Sequence, residues 1–224
     1  MTDPQTPTAP AAPDLRIVEQ RVYRGPNIWN YEQAMHLVVD LGVLEQYPTN
    51  TLPGFTEQLL EWLPGLENHV CSRGRAGGFV ERLHEGTWVG HVSEHLALQL
   101  QAEAGHDLRR GKTRAVKGTP GHYNVIYSYI DERVGIAAGE LAVRMVNAAV
   151  AQDPEFTFAT ELDDFLRLAQ RAAFGPSTNA ILEEAVARDI PFIRLNTASL
   201  VQLGQGVHQQ RIRATMTSKT SALA

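Results

Sequence analysis

The sequence predicts an α+β domain over residues 15–152, joined near Asp153-Pro154 to an α/β unit over residues 153–224. Three observations carry this reading. Short β-branched runs with partial alternation appear at 15–24, 35–40 and 123–130, as half-buried strands require. Stretches with 3.6-residue apolar spacing stand among them, as amphipathic helices require. The character of the chain then changes after Asp153-Pro154, where a helix pair is followed by short strands. At 224 residues, 43% hydrophobic and 20% charged, the composition is that of an ordinary globular protein. A chain of this length can bury a core without disulfide or metal staples.

Residues 1–14 are rich in Pro, Thr and Ala, with no basic region and no apolar core, and read as a disordered leader rather than a signal peptide. The first strand over 15–24 is broken by Gly25-Pro-Asn27, and a second runs from Met35 to Asp40. Leu52-Pro-Gly54 leads into a helix whose apolar face is Phe55, Leu59, Leu60 and Leu63, stopped by Pro64-Gly65. The run Cys71 to Gly78 is loop-like, and 79–84 is a short helix or strand. A long helix over 88–104 stops at Gly105, a C′ glycine. Residues 109–118 carry Arg109, Arg110, Lys112, Arg114 and Lys117 and read as a basic loop. A strand over 123–130 precedes an Ala-rich helix over 133–150. Past the linker, a helix over 162–173 is followed by Gly175-Pro-Ser-Thr178 opening a second helix through Arg188. Strands over 191–195 and 200–203 then turn at Gly204–Gly206.

Charge and cysteine usage exclude several classes. A net charge of -5 argues against a general nucleic-acid surface. Cys71 is the only cysteine, so an intramolecular disulfide and a Cys-rich metal site are both excluded. No apolar run approaches the roughly 20 residues of a membrane span. No membrane partner is expected, and the expected compartment is the cytoplasm. Ser218-Lys-Thr220 lacks the preceding glycines of a phosphate loop.

The run His91-Val-Ser-Glu94-His95 carries the most chemistry. Two imidazoles four residues apart project from one helical face and suit two corners of a tetrahedral zinc site. Glu94 is placed to take a proton from an activated water, as in the inverted zinc-peptidase pattern, and is the candidate catalytic residue. His36, His69, His84, His106, His122 and His208 show no ligand spacing and receive no role. Cys71 reads as a structural or incidental thiol, and Trp29, Trp62 and Trp88 as core.

Several stretches together resemble the cyanophycin synthetase family. They are Tyr23-Arg-Gly-Pro-Asn-Ile-Trp29, Leu52-Pro-Gly-Phe55, Gly77-Gly-Phe79, Glu85-Gly-Thr-Trp-Val-Gly-His-Val-Ser-Glu-His-Leu-Ala-Leu98, Thr119-Pro-Gly-His-Tyr-Asn124 and Tyr129-Ile-Asp-Glu-Arg-Val-Gly135. Near the end stand Ser199-Leu-Val-Gln-Leu-Gly204 and the run from Gln209 to Thr220. The resemblance implies an ATP-dependent ligase that adds aspartate and arginine to an arginine-bearing poly-aspartate. In that family an N-terminal domain is followed by an ATP-grasp and then a Mur-ligase-like domain. By the resemblance, residues 15–152 are the N-terminal domain and 153–224 the start of the ATP-grasp domain. ATP and Mg2+ would then be held beyond residue 224, and this chain alone would not ligate.

The resemblance also implies that the N-terminal domain binds the polymer and cuts it into primers through a zinc site. A third ligand is then needed, with one position left open. Glu132 and Glu140 are the candidates, and Glu132 is preferred because it falls in the matched segment at a strand end. Arg73, Arg75, Arg109, Arg110 and Arg114 are candidates for gripping the polymer's carboxylates through bidentate contacts. Expected partners are the polymer, aspartate and arginine, with no nucleic acid, in a homodimer or homotetramer. Two alternatives stay open: a zinc-dependent hydrolase of the polymer acting alone, and a catalytically silent polymer-binding module.

Overall fold

A computed structural model describes residues 12–220, so residues 1–11 of the expected leader lie outside the described residues. The architecture is mixed α and β with antiparallel sheets. Two compact units divide the chain between Ala169 and Gln170.

In the first unit, β1 (Arg16–Tyr23), β2 (Ala34–Asp40), β3 (Gly111–Ala115) and β4 (His122–Ser128) form a sheet in the order β1-β2-β4-β3. Every pairing is antiparallel, and Met35 lies opposite Tyr127, Leu37 opposite Val125. Because side chains alternate along a strand, Met35, Leu37, Val39, Val125 and Tyr127 share one face. All five are buried. The helices that cover this sheet are α3 (Val89–Glu103) and α4 (Glu132–Ala151), which also pack on each other. Beside them stand α1 (Phe55–Trp62) and α2 (Gly78–Glu85), separated by 3-10 turns at Pro64–Asn68 and Cys71–Arg73.

The helix α4 starts where Asp131 caps it, its carboxylate accepting from the backbone N–H groups of Arg133 and Val134. This helix alone, among the described residues, is long and apolar enough to cross a membrane, which the uninterrupted-run criterion missed because Glu140 and Arg144 punctuate it. With 67% of the apolar window buried inside the protein, it is a core helix here.

Two local readings change. Residues 109–118 are not simply a basic loop, because Gly111–Ala115 pair with β4 as an edge strand. Charged residues disguise a strand at an edge, where lysine and arginine discourage further pairing. The ambiguous 79–84 segment is helical and ends at Gly86, whose φ of +104° an L residue rarely adopts.

The helix α5 (Phe158–Ala172) begins before Leu162 and runs across the division between the units. Beyond it, α6 (Pro176–Ala187) has Gly175 as N-cap and Pro176 in its first turn, where a missing N–H costs nothing. The four short strands β5 (Phe192–Arg194), β6 (Leu200–Leu203), β7 (Gln210–Arg213) and β8 (Met216–Thr217) form an antiparallel sheet in chain order. Leu182, Val201 and Ile212 make its small core, with Phe174, Ile181, Phe192 and Leu203 packed around them.

Candidate functional site

The site is built on α3. Twelve of its fifteen residues are buried, because the helix is packed against α4, the sheet and the turn at Pro64–Asn68. Polar side chains on this helix are therefore drawn out of water along with the apolar ones. Glu94 and His95 are each 5% exposed.

The imidazoles of His91 and His95 meet through their Nε2 atoms at 3.2 Å. The Sγ of Cys71 lies 3.3 Å from the same His91 nitrogen, and the three donor atoms all fall within 4.8 Å of one another. Zinc bonds of about 2.0–2.3 Å at tetrahedral angles place ligand atoms roughly 3.3–3.6 Å apart. The nitrogen–nitrogen and sulfur–nitrogen separations at His91 match that spacing, and two nitrogens with one sulfur are a donor set that such an ion takes.

Protonation agrees with that fit, since a metal takes neutral imidazole. Burial lowers the His91 pKa to about 4, helped by the positive charge of Arg82. Burial also drives His95 well below the ordinary histidine value, with His91 and His69 adding to the effect. Cys71 opens its 3-10 turn with φ at +50°. Phe79 stacks on the His95 ring with centroids 4.0 Å apart, which fixes the plane of the imidazole.

Glu94, the residue before His95, lines the same cleft. Its Oε2 accepts a 2.5 Å hydrogen bond from the Thr113 hydroxyl on β3. Burial pushes its pKa up to about 7, against the opposing pull of Thr113. A carboxyl poised there suits proton transfer near neutral pH. Gly111 on the same strand makes room for it, because any Cβ at that position would overlap the Glu94 carboxylate. These groups open on a cleft of about 1100 Å³, also lined by Arg82, Asp107, Arg109, Lys112 and Arg114.

The residues singled out from sequence divide sharply. His91, Glu94, His95, Arg109 and Arg114 share the cleft. Glu132 is not brought to the imidazoles. Asp131 takes the cap of α4, and Glu132 turns in the first turn to meet Arg24, whose Nε and Nη2 donate to its two oxygens at 2.7 and 2.9 Å. Glu140 is exposed on the same helix. Arg73 and Arg75 do not line the cleft either, being paired with Glu85 and Glu81. Arg110 instead donates to the Asn30 side chain at 2.9 Å.

Sequence reasoning gave no role in the site to Cys71, Thr113 or Arg82, and it placed Trp88 in the core although 40% of it is exposed. Cys71 precedes His91 by a glycine-rich turn and a whole helix, so no spacing rule links them.

An antiparallel sheet whose covering helix carries two buried imidazoles and a buried carboxyl, with a thiol brought to the same cleft by the turn at Cys71–Arg73, defines the class: a mixed α and β domain with a His, Cys and Glu cluster in one cleft. Residues 36–151 match the family model described as the cyanophycin synthase-like N-terminal domain, and the chain belongs to that family. Relatives named cyanophycin synthetase are 44% identical in Synechocystis, 42% in Geminocystis herdmanii and 43% in Trichormus variabilis. Each alignment covers 93% of this chain and 24% of the relative, so the chain spans about a quarter of those proteins' length.

Proposed function

We propose that this chain is the N-terminal portion of a cyanophycin synthetase, and that its cleft binds the arginine-bearing poly-aspartate and hydrolyses it into primers. The convergence of Cys71, His91 and His95 beside Glu94 carries the reading. Cys71 Sγ and the Nε2 atoms of the two histidines would hold zinc. Such an ion supplies Lewis acidity, acidifying water and polarising an amide carbonyl.

The chain's own residues do the remainder. Glu94 takes the proton of the attacking water and returns it to the departing amine, held in place by Thr113. Arg82, Arg109, Lys112 and Arg114 offer cationic partners for polymer carboxylates, and Asp107 an anionic partner for its guanidinium groups. Ligation of aspartate and arginine with ATP and Mg2+ is assigned to sequence outside this span. Residues 153–224 are proposed to open the ATP-grasp domain.

The test is zinc content and polymer cleavage of the purified chain, with Glu94→Gln alongside. Stoichiometric zinc in both proteins, with cleavage only in wild type, is the expected result. If wild type holds zinc and Glu94→Gln cleaves as fast, the role of Glu94 is wrong. A chain that takes up no zinc would be the silent binding module instead.

A further inference from the structure

Four polar residues recur at every fourth position of α3: His91, His95, Gln99 and Glu103. The last three are joined, through His69, in one continuous hydrogen-bonded chain. Glu103 Oε1 accepts from Gln99 Nε2 at 2.7 Å, and Gln99 Oε1 lies 2.8 Å from His69 Nε2. His69 Nδ1 in turn lies 2.8 Å from His95 Nδ1. We propose that Gln99 and His69 are positioning residues that carry the polarity of Glu103 to His95, and so hold the His95 lone pair on Nε2, the atom that faces Cys71 and His91.

The direction follows from which groups can only accept. The Glu103 carboxylate has no proton to give, so the Gln99 amide must turn its NH₂ toward it and its oxygen toward His69. That oxygen can only accept, so His69 carries its proton on Nε2. With Nε2 as donor, the neutral His69 ring has Nδ1 as acceptor. His95 Nδ1 must then be the donor, which leaves Nε2 unprotonated. Every link is forced by the one before it.

His91 is held differently. Its Nδ1 meets the Thr87 hydroxyl at 3.0 Å. A hydroxyl both donates and accepts, so Thr87 leaves either His91 tautomer open. In the metal-free protein His91 Nε2–H can therefore donate to the His95 lone pair across their 3.2 Å contact. With Nε2 given to a metal, the His91 proton would sit on Nδ1, where the Thr87 hydroxyl would accept its hydrogen bond. One imidazole is locked and the other adapts.

The chain is also built into the packing. Gly65, in the 3-10 turn, has no side chain because a Cβ there would overlap the Gln99 amide. His69 follows that turn, and its backbone carbonyl accepts from Phe79 N at 3.2 Å. The ring that receives the polarity is the one on which Phe79 stacks. Outer partners of this kind fix tautomer and orientation in metal sites, and their loss typically costs about 10- to 100-fold in affinity.

The use of the lone pair for zinc rests on the function proposed above, so the test reads the tautomer separately from the metal. Glu103 is exposed, which makes it the least disruptive place to intervene. Imidazole ¹⁵N spectra of metal-free wild type, Glu103→Lys and Glu103→Gln, with zinc affinity by chelator competition, decide it. Wild type is expected to show His95 protonated on Nδ1 and His69 on Nε2. In Glu103→Lys an ammonium donor attracts the Gln99 oxygen, the amide turns, and the proton of His95 moves to Nε2. Zinc then binds about 10- to 100-fold more weakly. Glu103→Gln can still present a carbonyl to Gln99 and is expected to keep the wild-type spectrum. Wild-type His95 protonated on Nε2, or the same His95 tautomer in Glu103→Lys as in wild type, overturns the relay. If wild type takes up no zinc, the proposed function fails, while the metal-free spectra still decide the relay.

Discussion

Glu94 and Glu132 are singled out in the sequence for different roles, the first for proton transfer inside the His91–His95 run and the second as the preferred third ligand at the end of a strand. The structure separates them completely. The middle of α3 is enclosed on several sides, so Glu94 loses its water and keeps one hydroxyl partner. The first turn of α4 opens outward, so Glu132 finds a guanidinium and a favourable helix dipole instead. A carboxylate is made reactive by what is withheld from it. Glu132 has both oxygens engaged by Arg24 on the outside of the helix.

The largest effect that tests this contrast is at the donors. His91→Ala, His95→Ala and Cys71→Ala are each expected to leave no zinc after dialysis, while Glu132→Ala keeps it in full. Elemental analysis of the four proteins gives the answer, and zinc lost from Glu132→Ala would reverse the assignment of the third ligand.

Next comes cleavage. Glu94→Gln is expected to slow polymer hydrolysis by about 10²–10⁴ with zinc retained, the usual size of a general-base contribution. Glu132→Gln is expected to change the rate less than twofold.

A smaller effect should appear in stability. Gly111→Ala puts a methyl group against the Glu94 carboxylate and is expected to cost about 1–3 kcal/mol, the range for overpacking. Urea denaturation measures it, and an unchanged midpoint would mean that Glu94 has room to move. The smallest effect belongs to the outer pair. Arg24→Ala is expected to cost about 1 kcal/mol or less by the same measurement, as exposed ion pairs do.

Much of the scaffold was legible because it rests on local periodicity. The alternation from Met35 to Val39, and the apolar spacing of Phe55, Leu59 and Leu63, depend only on which face is buried. The strand over Gly111–Ala115 was hidden because Lys112 and Arg114 serve an edge, where propensity and burial do not agree. In the site, the four-residue step from His91 to His95 was readable since helix geometry alone puts both rings on one side. Cys71 and His69 were not, because a turn and the helix α2 bring them back to α3. Nothing in the intervening residues encodes the direction of that return. For Glu132 a motif match speaks for the segment, not for which way its side chain turns, and here that side chain meets Arg24.

Cys71 holds its backbone in the left-handed region, at φ +50°. For a residue other than glycine this conformation costs of order 1 kcal/mol. With Cys71 as the proposed zinc donor, folding stability and metal affinity would pull this position in opposite directions. Glycine would relax the chain and erase the donor, whereas cysteine keeps the donor at a standing penalty. A Cys71→Gly protein is thus expected to be sturdier without metal than the parent, and unable to gain further when zinc is added. A protein selected for rigidity alone would drift away from the thiol, so its retention would mark selection for the chemistry.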